Sequence, residues 1–219
     1  MSGVTPDGSP VEVYLRLPGN AEAELIASVV PKGAEILELG SGAGRVTHEL
    51  VARGFRVTAV DESAEMLEHI HGAPTVCARI ETLDLAQTFD CVLLASHFVN
   101  VAADEERRLL LSAACRHVDD AGLVLVEAYP PDLEWAVGSP RRIGDVELRL
   151  ADVAMTGRLV RATMEYRVGD ATWLQDFDAV LLDEHELEAV LKETGLRFDR
   201  WLDRERGWLV ARKHPRPVA

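Results

Sequence analysis

The sequence predicts an α/β fold, a doubly wound and mainly parallel sheet with helices on both faces, and three observations lead there. Strand-length apolar runs such as Cys91–Ala95 and Leu123–Val126 are continuous rather than alternating, as in strands covered on both sides. These runs alternate with helix-length segments, the pattern of parallel strands joined by crossover helices. Between one predicted strand and the next helix lies Gly40-Ser41-Gly42-Ala43-Gly44, where the missing Cβ atoms let backbone amides approach a ligand closely.

The elements follow in order. Pro6, Gly8, Pro10, Pro18 and Gly19 break up residues 1–19, which read as a lead-in segment around the short apolar stretch Val11–Leu17. One domain is expected over 20–219, opening with Asn20 as the cap of a helix that carries Ala23, Leu25, Ile26 and Val29 and stops at Pro31 and Gly33. Glu35–Leu39 is the first strand, and the helix after the glycine loop runs from Arg45 to Arg53, ending at Gly54. The alternation continues through strand Arg56–Val60, helix Ser63–Ile70, strands Thr75–Ala78 and Asp90–Ala95, helix Asp104–His117 and strand Gly122–Ala128. Ligands of such sheets bind beyond the carboxyl ends of the strands, so function is expected at Gly40, Asp61, Ala78, Ser96 and Tyr129. After Pro131 the runs Val146–Asp152, Arg158–Val168 and Thr172–Leu182 are separated by Gly157 and Gly169-Asp170 with no helix between them, which reads as an antiparallel β insertion over about 141–182. Asp183 and Glu186 form an approximate capping box for a helix to Thr194, stopped by Gly195. Strands Arg197–Leu202 and Trp208–Arg212 follow, and Lys213–Ala219 reads as a frayed tail.

Composition narrows the function. With 219 residues, 47% hydrophobic and 27% charged, the chain can bury a core of its own, which excludes a disordered or fibrous protein. Acidic residues outnumber basic ones 37 to 23, and a net charge of -14 opposes a nucleic-acid partner. No apolar run approaches the roughly 18 residues of a membrane span, and Met1–Pro10 lacks the basic end and apolar core of a secretory signal. Cys77, Cys91 and Cys115 include no close pair, against a disulfide framework or a thiolate zinc site, so a reducing cytoplasm is expected. His69, His71 and Cys77 are too scattered for a metal centre, and none is expected. Arginine exceeds lysine 20 to 3, which points to a GC-rich bacterial source.

The glycine loop selects among nucleotide ligands. A dinucleotide fingerprint needs Gly or Ala at position 45, which is Arg45, and the Gly-Lys-Ser/Thr of a phosphate-binding Walker loop is also missing. Glu38 lies two residues before Gly40, and Asp61 lies 21 residues after it, at a strand end where an acid suits a ribose diol. With Ser63-Ala64-Glu65-Met66-Leu67 added, the sequence from Glu35 to Ala128 resembles the class I S-adenosylmethionine-dependent methyltransferases. The insertion is similar to that of the glycine- and sugar-amine N-methyltransferase group.

The resemblance implies a seven-stranded sheet of order 3-2-1-4-5-7-6 with strand 7 antiparallel, S-adenosylmethionine as cofactor and S-adenosylhomocysteine as product. It places Gly40, Ser41, Gly42 and Gly44 under the methionine and ribose, with Glu38 toward the amino group and Asp61 accepting both ribose hydroxyls. Glu62 and Met66 are implied beside the adenosine, Ala78, Arg79 and Ile80 around the adenine, and Ala95 in the same cofactor set. Arg79 departs from the family, which often has an acid there to accept from the adenine amino group, and a guanidinium only donates.

A sulfonium methyl is already activated, so catalysis needs an aligned lone pair, and a base is optional. In Ser96-His97-Phe98-Val99-Asn100, His97 is the candidate general base, with a solvated loop histidine as the alternative. Asn100 and Tyr129 are expected to line the acceptor site. Tyr14 and Arg16 are expected either to close over the cofactor, the guanidinium near its carboxylate, or to pack on the core. The expected activity is methyl transfer to a nitrogen or oxygen of a small molecule; the alternative is a non-catalytic S-adenosylmethionine-binding sensor or scaffold. The insertion's exposed edge is expected to support a homodimer, and a lid within one chain accounts for the same residues.

Overall fold

Glu35–Leu39 forms β1 at the middle of the sheet, buried from Ile36 onward, in a computed structural model that describes residues 3–5, 8–130 and 132–215. β2 (Arg56–Asp61) and β4 (Phe89–Leu94) flank it in parallel, with β3 (Thr75–Cys77) beyond β2 and β5 (Val118–Glu127) beyond β4. Numbering the later strands in chain order, β11 (Trp208–Lys213) pairs antiparallel with both β5 and β10 (Leu196–Trp201). The sheet order β3-β2-β1-β4-β5-β11-β10 is the expected topology, with the antiparallel strand where it was anticipated.

Successive side chains of a strand face opposite ways, so continuous apolar strands feed two cores. Leu37, Leu39, Val92, Leu94 and Val124 meet α5 (Asp104–His117) and α6 (Glu184–Glu193) on one face. Ile36, Leu93, Leu125 and Val210 meet α2 (Asn20–Ala27) and α3 (Arg45–Ala52) on the other. α6 opens on the anticipated capping box, with Asp183 accepting from Glu186 N–H and Glu186 from Asp183 N–H.

The insertion is a four-stranded antiparallel sheet, β6 (Arg141–Ile143), β7 (Val146–Thr156), β8 (Leu159–Val168) and β9 (Ala171–Val180), in that order. Gly144, Gly157 and Gly169 turn its corners with φ of +62°, +62° and +56°, a region closed to most side chains. Its inner face buries Val160, Ala162, Tyr166 and Ala179, whereas its outer face carries cross-strand ion pairs such as Arg149–Glu165 and Arg161–Asp178.

Several local expectations need correcting. The lead-in is not loose at Val11–Tyr14, which forms the one-turn helix α1. Val11 packs against Ala43 and Met66, and Val13 packs against Val146 and Tyr166, both fully buried, so the fold is engaged before Asn20. The α2 cap is Gly19, not Asn20; a Cβ on Gly19 would stand 2.0 Å from the Arg45 carbonyl oxygen. The helix expected over 63–70 is a single turn, α4 (Ala64–Leu67), held by Ser63 Oγ accepting from Met66 N–H. β5 begins at Val118, because α5 passes into it without a loop. Pro131 and residues 216–219 of the expected tail lie outside the described residues. Among the described residues no helix is long and apolar enough to cross a membrane.

Candidate active site

The carboxyl ends of β1 to β5 open onto a cavity of about 410 Å³, closed from the other side by β8, β9 and the N-terminal segment. Its floor is the glycine loop. Gly40 and Ser41 both donate their N–H to the Val60 carbonyl, which draws the chain tightly across the end of β2. Gly40 takes φ +71°, and a Cβ there would lie 2.2 Å from Phe98 Cε2. Gly42 takes φ +55° and lines the cavity, where a Cβ would meet no protein atom within 4 Å. Gly44 lines neither cavity: it turns the chain into α3 at φ +85°, packed against Ile70 and His48. Asp61 accepts from Gly42 N–H at 2.8 Å and from Ser63 N–H at 2.9 Å, so one carboxylate ties the loop to the α4 cap while lining the cavity. Glu62, Met66, Ala78, Arg79 and Ile80 border the same space, and the exposed Arg79 guanidinium donates to Glu81, holding that carboxyl below its usual range.

A smaller cavity of about 30 Å³ adjoins the loop, bordered by Glu38, Ser41, Arg45, Ala95 and Tyr14. Ser41 Oγ is buried without a partner among the described residues. Glu38 is buried and accepts from Thr47 Oγ1 at 2.6 Å; burial pushes its carboxyl up to about 7, against the pull of Thr47 and Arg45. Arg45 is bonded to Glu22 at 2.5 Å and to the Pro18 carbonyl. Arg16 is elsewhere: it bonds Glu12 and, at 2.7 Å, Asp145, tying α1 to the β6–β7 turn, and it borders neither cavity. Tyr14 borders both.

On the opposite side stands the segment after β4. Ser96 and His97 take φ +57° and +60°, uncommon for residues other than glycine. Ser96 N–H donates to Glu127 Oε2 at 2.6 Å, and His97 Nδ1 lies 3.4 Å from the same oxygen. The His97 ring meets Tyr129 edge-on, centroids 3.8 Å apart. Burial alone would push the Glu127 carboxyl up, but His97, the Ser96 amide and Arg45 together hold it below the usual carboxylate range. Burial also pushes the Tyr129 phenol well up. From α5, the buried Arg107 guanidinium donates to the Val99 and Val101 carbonyls at 2.9 and 2.6 Å and fixes this segment from behind. Asn100 lines the cavity, and its amide donates to the Val180 carbonyl and accepts from Tyr129 N–H, each at 2.8 Å. It joins three segments and has its polar atoms turned to backbone.

Residues 36–122 match the model of a family described as a methyltransferase domain, a span that holds the glycine loop, Asp61 and His97. These residues form a methyltransferase domain. The chain is similar, at 25% identity over 192 residues, to the dTDP-4-amino-2,3,4,6-tetradeoxy-D-glucose N,N-dimethyltransferase of Saccharopolyspora spinosa, covering 80% of this chain and 76% of the relative. Its fold is shared with DesVI of Streptomyces venezuelae, with TM-score 0.76 and 20% identity over 93% of this chain and 96% of the other. CalS10, an amino pentose methyltransferase of Micromonospora echinaspora with S-adenosylmethionine bound, gives 0.71 and 22% over 93% and 96%.

The residues present suit S-adenosylmethionine, the ligand bound in CalS10. The orphaned Ser41 hydroxyl, the buried Glu38 and the Arg45 guanidinium border the small cavity with chemistry that matches an amino acid's two charged groups. The open face at Gly42 and the Asp61 carboxylate offer the room and the acceptor that a ribose needs. Sequence reasoning missed Arg45, whose one signal was that it spoils a dinucleotide fingerprint. It also missed Phe177, Tyr166 and Gln175 of the insertion, whose alternation shows a buried face but not what that face covers.

Proposed function

We propose that this methyltransferase methylates the amine nitrogen of an amino sugar or a similarly hydroxylated small amine. The observation that carries the reading is the composition of the acceptor end of the cavity. Tyr129 and Phe177 offer ring faces, joined through Trp135 at centroid distances of 4.8 and 6.0 Å. Beside them Tyr166 OH donates to Gln175 Oε1 at 3.1 Å, and Gln175 Nε2 donates to Ser9 Oγ at 3.0 Å. Aromatic faces next to a hydroxyl and amide network suit a ring that is apolar on its faces and hydroxylated at its edge. Relatives named for amino-sugar N-methylation support the same reading.

In this reading Glu38, Ser41 and Arg45 take the methionine end of the cofactor, Asp61 the ribose, and Glu62, Met66, Ala78, Arg79 and Ile80 the adenosine. The bound cofactor supplies an activated methyl on a sulfonium. His97 Nε2 accepts a proton from the acceptor ammonium, which frees a lone pair on nitrogen. The aligned nitrogen would take the methyl that the cofactor supplies, and His97 then returns its proton to solvent. Tyr14 and the insertion keep water from the site.

The test is product analysis by mass spectrometry with dTDP-linked and methyl-glycosidic 4-amino-4,6-dideoxyglucose, each beside its 4-hydroxy counterpart. Methylated product from an amino sugar and none from the hydroxyl analogues is expected. Methylation of the hydroxyl sugars, or of none of the four, would reject the reading.

A further inference from the structure

Glu127 closes β5 beneath the segment that carries His97, and neither the cofactor nor the acceptor contacts above use it. We infer that Glu127 is a positioning residue that holds His97 with Nδ1 toward β5 and Nε2 toward the acceptor nitrogen. The inference rests on the reading of His97 as the proton acceptor and says which ring nitrogen acts and why.

A neutral imidazole has one donor nitrogen and one acceptor nitrogen, and an ionised carboxylate only accepts. The nitrogen 3.4 Å from Glu127 Oε2 therefore carries the proton, and the lone pair is left on Nε2, which has no hydrogen-bond partner among the described residues. Three contacts make the arrangement specific. The Ser96 amide fixes the same carboxylate oxygen, the left-handed Ser96-His97 pair folds the ring back over the strand end, and the edge contact with Tyr129 limits its rotation. The groups facing the pair are Arg45 from α3, which favours the ionised Glu127, and the Tyr129 phenol, which stays neutral. Once Nε2 has taken a proton, the imidazolium sits against a fixed anion.

A plainer role for Glu127 is to satisfy the Ser96 amide in a strained turn. Glu127→Gln separates the two, since its carbonyl oxygen still accepts from Ser96 N–H while the charge facing His97 is gone. The experiment follows the His97 ring by nitrogen and proton NMR across pH in protein loaded with S-adenosylhomocysteine, the resonances assigned with His97→Gln. Expected is an Nδ1-protonated neutral form in the native protein. With an amino sugar that is turned over, kcat falls roughly tenfold in Glu127→Gln, with KM for S-adenosylmethionine unchanged. An unchanged kcat in Glu127→Gln, or a neutral ring protonated on Nε2, would overturn the inference. The native tautomer decides alone if the variant does not fold. The expected NMR result without methylation of any amine would instead remove the proposed acceptor and leave the Glu127–His97 pair standing.

Discussion

Gly40 and Gly42 share one loop and one backbone region, yet they protect different properties. Alanine at Gly40 combines left-handed strain with a methyl 2.2 Å from the Phe98 ring, so a loss of about 3 kcal/mol of stability is expected. Alanine at Gly42 adds only the strain, about 1 kcal/mol, while its methyl enters the space kept open for the ligand. Urea unfolding should therefore separate the two variants, and calorimetric titration with S-adenosylhomocysteine should show at least a tenfold weaker affinity in Gly42→Ala. Equal losses of stability in both variants would contradict this division. Residues of this kind are legible in sequence because the backbone itself selects them, and the same holds for Glu38 and Asp61 at the strand ends. Arg16, Asn100 and Glu127 were not legible in role, because what each side chain does is set by a partner remote in sequence: Asp145, 129 residues from Arg16; Val180, 80 residues from Asn100; Ser96, 31 residues from Glu127.

Among elements, the central strands were legible because burial on both faces leaves an unbroken apolar run, whereas α1 and β6, at four and three residues, are too short to show any period. The insertion's antiparallel strands were legible from their glycine turns. Its placement over the cavity was left between a lid and a subunit interface, and part of that placement rests on the end of β9. Asn100 bonds the Val180 carbonyl at the end of β9, and Val101 forms an isolated bridge with Ala179 beside it. Asn100→Ala removes the side-chain half of this clasp while leaving the glycine loop untouched. The expected outcome is a KM for the amino-sugar acceptor raised at least tenfold, a KM for S-adenosylmethionine within about twofold of native, and faster amide exchange over 177–181. An unchanged acceptor KM together with unchanged exchange would show that the insertion is held independently of Asn100.

At the scale of the whole molecule, the pH dependence of stability is a contest between groups held in opposite directions. Carboxyls that donor partners hold low, such as Glu81 and Glu127, lose their contribution as acidification protonates them. The buried His117 works the same way, for its Nε2 accepts from Leu85 N–H and its ring resists the charge that an unfolded histidine takes up. Glu38 has the reverse sign. Unfolded it ionises near its ordinary 4.5, folded near 7, so between these values the folded chain binds a proton that the unfolded chain has lost. Its contribution is full below about 4.5 and is lost as pH rises through 7. Glu38→Gln keeps an oxygen to accept from Thr47 but does not titrate, and every other group cancels when the two proteins are compared. Between pH 8 and pH 5 the native protein should therefore gain roughly 2–3 kcal/mol over the variant, at about 1.4 kcal/mol per pH unit between the two ionisation points. Urea unfolding of both ligand-free proteins at the two pH values measures the difference directly. A difference that does not change with pH would mean that the glycine loop sits over an ionised Glu38, with the small cavity already negative before the cofactor's amino group arrives.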